Sequence, residues 1–248
     1  MSAPLTGSCT ISPRIRSSCG QIFAKQRAHL EGHKDDVDEL CRRRQGAVQR
    51  IGRASLLAGL KGIHLNFAMF QPSSAEIANA DAAERKMLAD AQRYNEEFAG
   101  YYTLQNTRPQ SVAFGLADSP VGLAAWIYAL FQDVSDSGGE PERVFSLDAM
   151  IDDIMLYWLP NAGPSSARLY WESARAMKRN AMAFPPMPTP TGISMFPGEQ
   201  VRLSRRWAAA RFANLVHFNT PERGGHFAAL EQPALFVAEL RATFAKLD

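Results

Sequence analysis

Arg223-Gly224-Gly225-His226-Phe227-Ala228-Ala229-Leu230-Glu231-Gln232-Pro233 is the stretch on which the reading of this chain turns. Two glycines allow a tight backbone turn directly before a histidine. The apolar run Leu215–Phe218 stands a few residues upstream and reads as a short buried strand. Gln232-Pro233 then opens a last helix, with Pro at the first helical position and an expected face of Phe236, Leu240, Phe244 and Leu247. Strand, loop with histidine, helix is a way of presenting one imidazole at the carboxyl edge of a sheet. Histidine suits a general base because its ordinary pKa lies near working pH.

Moving back along the chain, Ile193–Phe196 reads as another buried strand, and Glu199 follows it in Phe196-Pro197-Gly198-Glu199. A base histidine needs an acid on its second ring nitrogen, and Glu199 occupies the slot between that strand and His226. Phe184–Pro190 holds four prolines, a stiff connector leading into the strand. Before it the periodicity is helical. Leu147, Ile151, Ile154, Met155 and Trp158 line one helix, with Asp148, Asp152 and Asp153 turned to water. Ser119-Pro120 places an N-cap and an N1 proline ahead of Leu123, Ile127, Leu130 and Phe131. Ser73-Ser74-Ala75-Glu76 carries a capping box opening a helical stretch with Met87, Ala91, Tyr94 and Phe98 on one side, closed at Gly100. Gly62–Phe67 alternates and breaks at Gln71-Pro72, as a strand does on leaving a sheet. A helical block that interrupts strand–helix alternation predicts a lid inserted into an α/β sheet.

The 248 residues carry 27 Lys and Arg against 25 Asp and Glu, a net charge of +2 that makes no case for nucleic acid or an anionic membrane as partner. Ten of those bases and five of the acids fall in residues 1–54, a poorly patterned stretch containing Arg42-Arg43-Arg44 and at most one sparse helix over Lys34–Leu57. Cys9, Cys19 and Cys41 are odd in number and form no C-x-x-C pair, which supports neither a disulfide framework nor a zinc site. No apolar run reaches eighteen residues, so no membrane span is expected. The acid-free, Ser- and Arg-rich start faintly resembles a transit peptide. Without a sustained amphipathic helix, the expectation is a reduced, cytoplasmic protein.

Five ordered segments together resemble the microsomal-type epoxide hydrolases of the α/β-hydrolase superfamily. They are Gly62–Asn66, Ala117–Trp126, Met155–Trp158, the 165–170 stretch and Arg223–Pro233, spread over Leu60–Leu247. The resemblance implies an α/β fold, a partial α/β-hydrolase sheet with an inserted helical cap. Residues 58–72 and 186–248 would form the core elements, 73–185 the cap, and 1–57 would match nothing in the family. It implies hydration of a small apolar epoxide to a vicinal diol through an alkyl-enzyme ester, with no metal or organic cofactor. Detoxification or aromatic-compound catabolism would be the setting. His226 matches the family's base and Glu199 its orienting acid. Tyr101, in Gly100-Tyr101-Tyr102, and Tyr170, in Ser165-Ser166-Ala167-Arg168-Leu169-Tyr170, match the two cap tyrosines that hold the oxirane oxygen. Tyr102 and Tyr157 remain neighbouring alternatives, while Trp126 and Trp158 read as packing or pocket-wall residues.

One part of the family pattern is missing. The nucleophilic aspartate should stand about twenty residues before Gly62–Asn66, in a glycine-flanked strand-to-helix elbow. Asp35, Asp36 and Asp38 lie there without the glycines, and neither a His-Gly-x-Pro segment nor Gly-x-Ser-x-Gly occurs. Two expectations follow. Residues 1 to 57 are either filler from a truncated or frame-disrupted gene, leaving an enzyme with impaired turnover, or a replacement that makes the rest a non-catalytic ligand-binding or interaction module. In either case exposed strand edges favour self-association.

Overall fold

The computed structural model describes residues 60–68, 72–179 and 186–247, with side chains through 175 in the middle segment. Asp35, Asp36, Asp38, the helix expected over Lys34–Leu57 and part of the proline connector lie outside the described residues.

Three short strands form one parallel sheet in the order β1-β2-β3: β1 (Ile63–Leu65), β2 (Thr191–Ser194) and β3 (Leu215–Asn219). Ile63, His64 and Leu65 pair with Thr191, Gly192 and Ile193, and β3 pairs with the other edge of β2. Parallel neighbours require crossovers, and the two crossovers here are unequal. Between β2 and β3 runs a single helix, α8 (Arg205–Arg211). Between β1 and β2, among the described residues, run seven α-helices: α1 (Ser74–Ala78), α2 (Ala82–Glu97), α3 (Gly100–Thr107), α4 (Pro109–Asp118), α5 (Pro120–Val134), α6 (Leu147–Trp158) and α7 (Gly163–Arg179). After β3 come a loop, the one-turn α9 (Ala228–Glu231) and α10 (Pro233–Phe244). This is a partial α/β-hydrolase sheet interrupted by helices. Among the described residues no single helix is long and apolar enough to cross a membrane.

Caps explain most helix starts. Ser73 accepts from the Glu76 amide while Glu76 reaches back to the Ser73 amide, and Ser119 accepts from the Gly122 amide ahead of Pro120. The stretch expected as one helix from Ser73 to Gly100 is two. Asp81 builds a second capping box with Glu84, which restarts the helix after Asn79. Gly100 opens α3 instead of closing α2. The strand expected at Ile193–Phe196 begins two residues earlier, and Met195 and Phe196 lie beyond it, fully buried.

Two of the three clusters of buried side chains among the described residues are large. One fills the helical block around Leu123, Ile127, Phe131, Met150 and Ile154. The other packs the sheet through Ile193, Met195, Leu203, Trp207 and Phe212. Each such side chain contributes roughly 1.5–3 kcal/mol by leaving water. Leu123, Ile127, Ile151, Ile154 and Met155 are buried as their spacing predicts, whereas Asp153 is half-buried. Glu84, buried at the head of α2, accepts from Ser204 at 2.6 Å and pairs with Arg206 of α8. The Arg206 guanidinium holds its carboxyl down at about 2, against the opposing effect of burial.

The last helix departs most from expectation. Phe244 is exposed, and the residues turned to the sheet include Glu239 and Thr243. Glu239 accepts from Ser194 (2.6 Å), His217 (2.7 Å) and Asn219 (2.6 Å), and Thr243 meets His64 Nδ1 at 2.7 Å. A polar seam joins the expected apolar contacts in docking α10 on the strands: Phe236 meets His64 at 6.2 Å and Leu247 lies against Gly62, with Phe244 alone of the expected face turned to solvent. Gly192 permits the approach, since a Cβ there would stand 2.1 Å from Thr243 Oγ1.

Candidate active site

His226 lies in the loop after β3, where both preceding glycines are sterically required. Gly224 has φ +110°, a left-handed backbone that disfavours a side chain. A Cβ on Gly225 would stand 2.7 Å from the Asp136 amide and 2.8 Å from the Val134 carbonyl. The loop is therefore pressed against the segment leaving α5, and the His226 amide donates to Val134 O at 3.0 Å.

Glu199 reaches the same place from the end of β2. Its loop is tied to the histidine loop by the Gly198 amide donating to Gly224 O at 2.9 Å. Glu199 Oε2 then stands 2.8 Å from His226 Nδ1, while Oε1 accepts from the Gln200 amide at 2.9 Å. The carboxylate is 3% exposed and the imidazole 37%. An ionised carboxylate only accepts, so Nδ1 is the donor and Nε2 of the neutral ring is left as the acceptor. Burial works against protonation of His226, but the hydrogen bond and charge of Glu199 outweigh it and the pKa is raised. Phe67, just past β1, meets the imidazole edge to face at 5.1 Å. The ends of three adjacent parallel strands thus converge on one imidazole, the usual position of α/β sites.

The tyrosines come from the helical block. The Tyr101 hydroxyl of α3 is 3.0 Å from that of Tyr94 in α2, and its ring meets Tyr170 of α7 at 6.2 Å, 82° between planes. Tyr170 also takes a hydrogen bond from buried Gln105 and packs against Tyr102 at 5.9 Å. Burial pushes the Tyr101 phenol far up, with the Tyr94 bond adding to it, and pushes Tyr170 up to about 12. Both stay neutral and can donate. Tyr101 shares a cluster with Tyr94, Val134 and Phe227, the last two being the hydrogen-bond partner and the chain neighbour of His226.

The structure therefore brings Glu199 to His226 and Tyr101 to Tyr170, and joins the two pairs through Val134 and Phe227. A cleft of about 390 Å³ opens beside Tyr101, walled by Phe98, Trp126, Ala129, Leu130 and Asp133. Sequence reasoning missed Tyr94, Gln105, Asp136 and Glu231. Nothing in their local pattern distinguishes them from ordinary polar positions. Among the described residues no group of three His, Cys, Asp or Glu side chains could hold a metal ion.

No protein-family model matches the chain. A Stigmatella aurantiaca protein named "Putative epoxide hydrolase" is 47% identical over 190 residues, covering 77% of this chain and 42% of that protein. The chain is a relative of the epoxide hydrolases. Epoxide hydrolase 1 of Sus scrofa is 36% identical over 159 residues, covering 60% of this chain and 35% of its own length. Among solved structures, the Aspergillus niger epoxide hydrolase superposes with a TM-score of 0.63 at 28% identity. It covers 76% of this chain and 46% of its own. The juvenile hormone epoxide hydrolase of the silkworm Bombyx mori gives 0.68 at 25% identity, over 75% and 49%. This epoxide-hydrolase relative thus spans less than half the length of the proteins it matches.

Proposed function

We propose that this protein is built to bind a small apolar epoxide and to serve its hydration to a vicinal diol, with turnover impaired in the chain as it stands. The 2.8 Å contact between Glu199 and His226 carries the reading. In the full reaction, a carboxylate attacks an epoxide carbon and the carbon–oxygen bond opens. The departing oxygen then takes a proton from a phenol, here Tyr101 or Tyr170. Phenols that remain neutral supply that proton where no bulk acid is present. Water then gives its proton to His226 Nε2 and attacks the carbonyl of the alkyl-enzyme ester. Glu199 steadies the imidazolium, the diol leaves as the carboxylate is restored, and the proton on His226 returns through solvent to the phenolate. Residues 73–185 act as the cap over this chemistry, and 58–72 with 186–248 as core.

The first displacement is the impaired step, because Asp35, Asp36 and Asp38 lack the flanking glycines of an elbow. The second reading, a ligand-binding module without turnover, draws on the mostly apolar cleft beside Tyr101.

Styrene oxide tests both readings. Titrated into the full-length protein, it is expected to quench Trp126 fluorescence saturably, compared with a Trp126→Phe control. Diol should appear no faster than with His226→Ala. Rapid diol formation abolished by His226→Ala would show that the chain makes its own ester and overturn the impairment. Absence of saturable quenching would overturn the apolar-epoxide reading.

A further inference from the structure

Four consecutive main-chain amides surround the imidazole, and each has a fixed partner. Gly224 N donates to Asp136 Oδ2 at 2.8 Å and His226 N to Val134 O at 3.0 Å. The two amides flanking His226 go to one side chain: Gly225 N to Glu231 Oε2 and Phe227 N to Glu231 Oε1, both at 2.9 Å. Oε2 also accepts from the Asp136 amide at 2.8 Å, 95 positions away in the chain. Glu231 is buried, 7% exposed.

A carboxylate four residues after Phe227 could simply cap the one-turn helix α9 through the Phe227 amide. That local role uses Oε1 alone and leaves the two bonds of Oε2 unexplained. Those bonds join the Gly224–Gly225 peptide, one before the peptide that carries the His226 amide, to the segment leaving α5. That segment also provides Val134 O and neighbours the Tyr101 cluster.

We infer that Glu231 is a positioning residue for His226, holding the Gly224–Gly225 and His226–Phe227 peptides so that Nδ1 points at the Glu199 carboxylate. This rests on His226 being the base. Catalytic groups tolerate about 0.5 Å or 10–20° of misplacement, and a 2.8 Å bond to a side chain at the end of another strand is sensitive on that scale. Glu231→Gln keeps the size but presents one acceptor and one NH2 donor to three amide donors, so at least one flanking amide loses its partner.

The test is a proton NMR titration of the imidazoles in the full-length protein, wild type against Glu231→Gln and Glu231→Asp, with Glu199→Gln as reference and His226→Gln for assignment. Wild-type His226 should titrate above 6.5 and the Glu199→Gln form below it, where burial is opposed by the Glu231 charge alone. Because the Glu231 charge itself helps to raise His226, the positioning effect is read in both Glu231→Gln and the charge-preserving Glu231→Asp, too short to hold both amides. Each should carry His226 at least about half of that distance, while His217, paired with Glu239 at the far side of the sheet, stays in place. A His226 titration unchanged from wild type in either variant, even with a lowered Tm, would reduce Glu231 to a structural cap and overturn the inference. So would His226 and His217 shifting together. If Glu231→Gln does not fold, Glu231→Asp is read alone by the same criteria. The titration needs no turnover, so absence of diol formation leaves it standing, and an unchanged His226 overturns it even in an active protein.

Discussion

Glu199 Oε2 accepts from His226 Nδ1 across 2.8 Å although the two lie 27 positions apart in the chain and neither belongs to a helix or strand. The pair has a pH signature. The folded-state pKa of His226 is raised above its unfolded value near 6.5, so the stabilisation is complete below 6.5 and is lost as pH rises through the folded value. Urea unfolding from pH 6 to 9 should show wild type exceeding His226→Gln most at the acid end, with the gap narrowing upward. A gap independent of pH would mean that the pair carries no linked charge.

His64 has the opposite sign. Burial, then the charge of His217, holds its pKa at about 4 despite the attraction of Glu239. The unfolded chain therefore takes up this proton first. Stability should fall as pH drops from about 6.5 to about 4, and His64→Asn should flatten that limb. The His226 and His64 windows do not overlap, so a single series of denaturation curves reads both. An equally steep acid limb in His64→Asn would refute the assignment.

Gly192→Ala tests how closely α10 sits on the sheet. The added methyl would meet Thr243 Oγ1, Cγ2 and Cβ at 2.1, 2.4 and 2.8 Å. Thr243 is fully buried and bonded to His64, so it has nowhere to retreat without giving up that bond. A loss of about 1–3 kcal/mol is expected in chemical denaturation, the usual cost of overpacking. A neutral result would show that the helix shifts freely on the strands.

Tyr101→Phe removes a hydroxyl that stands 3.0 Å from Tyr94 OH and beside the cleft. Stability should fall by about 1 kcal/mol. Styrene oxide should bind more weakly than to wild type, because an oxirane oxygen loses its donor. Unchanged affinity would place the ligand away from this phenol.

Much of the fold was legible without coordinates, because short-range chemistry writes it. Ser73 with Glu76 and Ser119 with Pro120 are capping signals complete within four residues, and apolar spacing marked the buried faces of α5 and α6. The order of strands and helices followed from those signals, and the glycines before His226 marked its loop. The second capping box at Asp81 was equally local and overlooked, so the block from Ser73 was read as one helix.

The sequence by itself determined the succession of elements and the candidacy of His226 and Glu199, since periodicity, caps and motif order depend on near neighbours, while Tyr101 and Tyr170 became candidates only through the resemblance to the epoxide hydrolases. Only the tertiary structure decided that Glu231 holds the amides around His226, that Asp136 ties down Gly224, and that Glu239 and Thr243 face the strands. These contacts join residues from 4 to 179 positions apart. A carboxylate whose partners are main-chain amides selects them by position in space, and amides carry no side-chain signature for a pattern to find.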